Sequence, residues 1–341
     1  MKAMVLKKLR NLKENQMPLE LMELAVPVPG KNEILLKVSV CGVCHTELDE
    51  IEGRTPPPRL PIIPGHQVIG RVEAIGSKVN SVKTGDRVGV AWIFSACGVC
   101  KFCLAGNENL CPAFEATGRD ANGGYAQYMT VAEDFAYAIP EIFSDVQAAP
   151  LLCAGAIGYR SLRLTGLRDG QRLGLTGFGA SAHLVLKMAQ HQYPNSEIYV
   201  FARSEKERAF ALELGAVWAG HTTERAPHKL DSIIDTTPAW EPVVEALANL
   251  ESGGRLVINA IRKEGDNHSL LNLDYPVHLW QEKEIKSIAN ISRRDVKDFL
   301  SLAAEMNLQP QVQLFALEQA NEALVELKAG KIRGAKVLKI D

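Results

Sequence analysis

Residues Gly177-Phe178-Gly179-Ala180-Ser181-Ala182 fit Gly-x-Gly-x-x-Gly/Ala, directly after a strand-like run at 172–176 and at the start of a helix-period stretch at 182–190. Strand, glycine turn and helix in that order constrain the fold more than any other feature, because they open a parallel β-α-β unit shaped for a dinucleotide. Gly177 makes the tight turn, Gly179 lets the backbone approach a pyrophosphate, and the small Ala182 lets helix and strand pack closely. The helix N-terminus then offers its N–H groups to the anion. A glycine turn that binds nothing is the competing reading.

The surrounding pattern extends that unit. Beyond about Pro150, apolar strands at 172–176, 197–202, 232–236, 255–260 and 284–289 alternate with helical stretches at 206–214 and 240–250. That alternation predicts an α/β, doubly wound parallel sheet. Earlier, β-rich runs at 33–40, 68–75 and 86–90 are cut by Gly and Pro clusters and predict a compact, strand-rich first half. A helix at 296–305 and a last strand at 336–340 follow, and that strand is more like the first half than the middle.

At about 150 residues per domain, a chain of 341 residues is expected to form two. Its 38 Lys and Arg against 40 Asp and Glu, a net charge of −2, exclude a chain built mainly to hold nucleic acid or an anionic membrane. The basic residues near Met1 have no apolar stretch behind them, so neither a signal peptide nor a membrane span is expected. The seven cysteines should then meet a reducing cytosol, where clustered thiols bind metal more often than they pair.

The second strand ends Tyr199-Val200-Phe201-Ala202 and is followed by Arg203-Ser204, where an NAD-binding unit carries an Asp or Glu. Without that carboxylate the ribose 2′-hydroxyl loses its acceptor, while a 2′-phosphate loses a repulsive neighbour and gains Arg203 and the Ser204 hydroxyl. NADP(H) is therefore favoured over NAD(H). The bland alternative makes Arg203 a solvated surface residue.

Cys97, Cys100, Cys103 and Cys111 stand as C-x2-C-x2-C-x7-C. Four thiolates so close together can close a tetrahedral shell, as in a structural zinc site with no open coordination position. An iron–sulfur cluster is the chief rival. Cys41-Gly42-Val43-Cys44-His45 also spells C-x-x-C-H, the haem-attachment pattern, and Cys41 with Cys44 could be a redox pair. Haem attachment would leave the nucleotide-binding half unexplained, and no short β-α-β unit surrounds the pair.

Together these residues resemble the zinc-dependent alcohol dehydrogenases of the medium-chain dehydrogenase/reductase family, over essentially the whole chain. The resemblance is carried by Gly42-Val43-Cys44-His45-Thr46, Gly65-His66, Gly85-Asp86-Arg87-Val88, the four-cysteine lobe, Gly123-Gly124-Tyr125-Ala126 with Tyr128, Cys153 and the glycine turn. It implies that Cys44, His66 and Cys153 bind a catalytic zinc, which with the four-cysteine site makes two zinc ions per chain. Three protein ligands and one open position are what a catalytic zinc requires. It further implies that Thr46 takes the alcohol proton, that His45 and Lys336 lie near the cofactor pyrophosphate, and that Trp92 narrows the substrate pocket.

Three positions depart from the family pattern. Gln67 stands where a Glu commonly follows the histidine, Glu47 stands where an Asp is usual, and Asp49 replaces a frequent relay His. Glu47 could still orient His66, with a longer reach.

The resemblance implies a GroES-like, strand-rich catalytic domain at 1–150 and 291–341, with the zinc lobe at about 95–113, and a Rossmann domain at 151–290. The active site is expected in the cleft where they meet. The expected activity is hydride transfer between a nicotinamide cofactor, NADP preferred, and primary alcohols or aldehydes. A cinnamyl or other aryl alcohol dehydrogenase is the nearest alternative, and a non-catalytic zinc- and nucleotide-binding protein is the alternative from another class. The expected partners are a small-molecule substrate and further copies of the chain, as a homodimer or homotetramer in the cytoplasm.

Overall fold

The computed structural model describes residues 1–330 and 334–340. The chain divides into two compact units, Met1–Cys153 with Ile291–Asp341, and Ala154–Asn290.

In the first unit the spine is the strand Glu33–Val43, most of whose residues are buried because apolar side chains occupy both of its faces. It pairs antiparallel with Val68–Ile75, Tyr128–Ala132 and Ala335–Lys339. The sheet runs on through Arg87–Val90 to Ala136–Ala138 at one end and to Val312–Ala316 at the other. Lys336 sits opposite Val43, so the last strand lies against the end of the spine, one residue before Cys44. Leu36, Tyr125, Phe135 and Leu338 belong to the core beneath. The helix Arg293–Glu305, on the segment that returns to this unit, starts on a capping box: Asp295 N donates to Ser292 Oγ at 3.4 Å and Ser292 N to Asp295 Oδ2 at 2.8 Å.

The second unit is a six-stranded parallel sheet in the order Trp218–Gly220, Glu197–Phe201, Arg172–Thr176, Leu230–Asp235, Leu250–Ile258, Glu284–Ser287. Strand order runs outward in both directions from Arg172–Thr176, so the topological switch point lies between it and Leu230–Asp235. This is the doubly wound sheet that the alternation predicts. Trp218–Gly220 escapes sequence reading because three residues are too few to display a period. The helix expected at 240–250 is shorter, Glu241–Leu247. Asn249 ends it by accepting from Ala226 N and donating to Glu245 O, and the next strand begins at Leu250. Among the described residues no helix is long and apolar enough to cross a membrane.

Candidate active site and metal centres

Cys44 follows the spine strand and caps the helix His45–Ile51. Glu47, on the first turn, returns one oxygen to Cys44 N at 2.8 Å and so fixes the backbone that presents the thiol. Its other oxygen lies 2.6 Å from His66 Nδ1, although the two atoms do not meet in straight hydrogen-bond geometry. His66 is held in the interior by Gly65, whose φ of +101° and contact with Tyr125 leave no room for a side chain: a Cβ there would lie 2.4 Å from the ring. Cys153 comes from a π turn, Leu151–Gly155, that follows Pro150. Proline has no N–H to close an α turn onto Val146, and such turns recur at functional sites.

These elements bring the sulfurs of Cys44 and Cys153 to 3.8 Å and His66 Nε2 to 3.4 Å from Cys153 Sγ, with all three candidate ligand atoms within 4.8 Å of one another. A tetrahedral zinc with ordinary bond lengths needs about 3.8 Å between sulfurs and about 3.6 Å between sulfur and nitrogen. The three residues therefore fit a zinc ion. A disulfide is excluded at this spacing, since bonded sulfurs are only about 2.05 Å apart. Thr46 Oγ1 stands 3.7 Å from Cys44 Sγ.

Cys44, His66, Cys153 and Glu47 form one interacting cluster of charge. A hydrogen bond from Cys153, working against burial, pulls the Cys44 thiol well below its usual value, and the same bond with burial holds Cys153 protonated. Burial opposes the charge on His66, yet Glu47 and Cys44 together raise it well above an ordinary imidazole. Burial lifts Glu47 itself, against the attraction of His66.

The second cluster is built on the loop around Gly98 and the short helix Lys101–Leu104. Cys97 lies 3.9 Å from Cys103 and 3.5 Å from Cys111, and Cys100 lies 3.6 Å from Cys103, again the spacing of a tetrahedral shell. Backbone N–H groups of Val99 and Cys100 lower the Cys97 thiol to about 6, whereas burial and neighbouring thiols push Cys103 up to about 12. All seven cysteines are free, and Cys41 belongs to neither cluster.

In the second unit Gly177 has φ +75°, and a Cβ on it would come within 2.9 Å of Thr236 Oγ1. Above Gly179 nothing lies within 4 Å, which leaves backbone open to a ligand, and Ala182 is fully buried. Arg203 and Ser204 are exposed just past the strand Glu197–Phe201, and Ser204 does not use its side chain to cap the helix Glu205–Glu213. Beside them, Arg208, which the sequence pattern does not single out, donates from Nη1 to the carbonyls of Ala202 and Arg203 at 2.8 and 2.9 Å. A basic residue on the first turns of a helix that follows Arg203-Ser204 was the available signal.

Other expected site residues have different surroundings. His45 is exposed at the start of its helix. Lys336 is buried, with its ammonium 2.5 Å from Glu326 and 2.9 Å from Gln313 Oε1, so the charge expected beside the pyrophosphate is paired inside its own unit. Trp92 is buried and packs on Phe114 with ring centroids 5.1 Å apart, and the Arg119 guanidinium lies 5.7 Å from its ring. Asp49 is buried and bound by Arg54 Nε at 2.7 Å.

Residues 30–141 match the alcohol dehydrogenase GroES-like domain family. The chain is 44% identical over 328 residues to "Probable alcohol dehydrogenase AdhA" of Mycobacterium tuberculosis, covering 95% of this chain and 93% of that protein. It is 33% identical over 338 residues to an alcohol dehydrogenase of Geobacillus stearothermophilus, covering 94% and 96% respectively. Among solved structures, a cinnamyl alcohol dehydrogenase of Sorghum bicolor matches with a TM-score of 0.82 at 25% identity, over 99% of this chain and 97% of that one. Similarity on this scale, to relatives of nearly equal length, means that the chain belongs to the alcohol dehydrogenase family, with a GroES-like unit and a Rossmann-type parallel sheet.

Proposed function

We propose that this alcohol dehydrogenase is zinc-dependent, prefers NADP(H), and interconverts primary alcohols and aldehydes. The observation that carries the reading is the trio Cys44, His66 and Cys153 at tetrahedral spacing, with the Thr46 hydroxyl beside Cys44. Cys44, His66 and Cys153 would hold a zinc ion, which would supply Lewis-acid chemistry to an alcohol oxygen, and a bound nicotinamide would supply the hydride acceptor. Thr46 Oγ1 would accept the alcohol proton as its own hydroxyl proton passes on to water, and Glu47 would keep His66 oriented. Cys97, Cys100, Cys103 and Cys111 hold a second, structural zinc.

Gly177, Gly179 and Ala182 would hold the cofactor, and Arg203, Ser204 and Arg208 would take its 2′-phosphate. His45 serves the pyrophosphate, and Lys336 does so only if it leaves Glu326. Trp92 restricts the alcohol. An aryl substrate is the second reading, favoured by the likeness to the sorghum cinnamyl enzyme.

Assembly as a homodimer or homotetramer is supported by the open edge of the six-stranded sheet. All four residues of Glu284–Ser287 are exposed there, and Tyr275 and Trp280 are exposed just before it. The free cysteines suit the cytoplasm.

The test is a fluorescence titration with NADPH and NADH, followed by assays of acetaldehyde, butanal and cinnamaldehyde with the preferred cofactor and zinc analysis of the same protein. Tighter NADPH binding, two zinc ions per chain and turnover of the aliphatic aldehydes are expected. Exclusive turnover of cinnamaldehyde would favour the aryl reading, and absence of zinc from active protein would refute the metal assignment.

A further inference from the structure

One buried ion pair ties together segments at the carboxyl ends of three neighbouring strands of the parallel sheet. Asp235 closes the strand Leu230–Asp235 and is completely buried. The Lys263 ammonium, five residues past Ile258, pairs with Asp235 Oδ2 and donates to the carbonyls of Thr237 at 2.8 Å and Ala239 at 3.0 Å. Those three acceptors use all three ammonium protons, so Lys263 has none left for a ligand. The other oxygen of Asp235 accepts from Thr176 Oγ1 at 2.6 Å and Thr237 Oγ1 at 2.7 Å.

Thr176 immediately precedes Gly177, and Thr236 packs against Gly177 closely enough to exclude a Cβ. The next residues continue the attachment. Glu264 N donates to Pro238 O at 2.6 Å, and the Asp266 carboxylate accepts from Trp240 N and Glu241 N at 2.8 Å. Segment 263–266 thus clasps segment 235–241 along its length, at the switch point where doubly wound sheets bind their ligands.

We propose that Lys263 is a positioning residue for the dinucleotide: fastened to Asp235, it holds the loop 236–241 against the glycine turn, so that the crevice is formed before the cofactor arrives. This rests on the reading that the turn binds a dinucleotide. Ordering a loop during binding weakens affinity, and a loop already ordered removes that cost.

The test compares wild type with K263M and with the double variant K263M/D235N, which removes the lone buried carboxylate that the single variant leaves. NADPH and NADH dissociation constants are measured by fluorescence well below each protein's own unfolding midpoint. A tenfold or greater weakening of dinucleotide binding in folded K263M is expected, with zinc content unchanged. A purely structural role would lower the midpoint and leave the dissociation constant of the folded protein alone, so a constant within twofold of wild type overturns the proposal. If K263M does not fold, the double variant decides by the same criterion. Wild type that binds neither dinucleotide removes the underlying reading and the clasp with it, whereas normal wild-type binding with unaffected variants removes the clasp only.

Discussion

Glu47 Oε1 lies 2.6 Å from His66 Nδ1, and the other oxygen of the same carboxylate accepts from Cys44 N at 2.8 Å. One side chain on the first turn of a seven-residue helix therefore orients two of the three candidate zinc ligands. Ligand orientation of this kind sets which ring nitrogen faces the metal and how firmly it is held.

Replacing that carboxylate with its amide keeps the size and removes the charge beside His66. E47Q should lower zinc affinity at the Cys44 site by about 10- to 100-fold, the usual effect of losing an outer partner. Competition against a chelator with known zinc affinity measures it. Affinity equal to wild type would mean that Glu47 serves only to cap the helix.

Cys153→Ser replaces a soft sulfur ligand with a weakly coordinating hydroxyl. Zinc should fall from about two ions per chain to about one, and turnover should be lost while the four-cysteine lobe keeps its metal. Full activity in this variant would remove Cys153 from the site.

Fold and site differ in how far the sequence exposes them. The strand–helix alternation is legible because each element shows one period of side-chain burial, and the glycine turn is legible because its backbone needs a residue without a Cβ. Cys44, His66 and Cys153 carry recognisable neighbours along the chain, and the structure brings their ligand atoms within 4.8 Å. What stays hidden is pairing across long separations. Nothing beside Lys336 announces that Glu326 takes its charge, and nothing at Lys263 points to Asp235, 28 residues away. The Asp49–Arg54 pair is close in sequence but carries no pattern of its own, since its meaning depends on which way a helix faces.

The cofactor reading makes Arg208 testable without a substrate. Its guanidinium is already anchored by two backbone carbonyls, so little side-chain freedom remains to be lost when a phosphate arrives. A charge-assisted hydrogen bond contributes about 1.5–3 kcal/mol. R208A should accordingly weaken NADPH by roughly 10- to 150-fold and leave NADH nearly unchanged. Equal losses for both cofactors, in a titration followed by nicotinamide fluorescence, would place Arg208 outside the 2′-phosphate site.

Glu52 gives a prediction about acid stability. Burial works against its charge, but hydrogen bonds from Lys328, Arg54 and Leu12 N lower it from about 4.5 to about 2. A carboxylate depressed in the folded state binds protons more readily after unfolding. Its contribution is therefore fully present above pH 4.5 and disappears as the pH falls through the folded value near 2. E52Q removes that titration, so the stability of the variant should fall less steeply than that of wild type between pH 4.5 and 2. Urea unfolding at several pH values in that window reads the two slopes. Parallel slopes would mean that the pairs with Lys328 and Arg54 do not distinguish the folded from the unfolded chain.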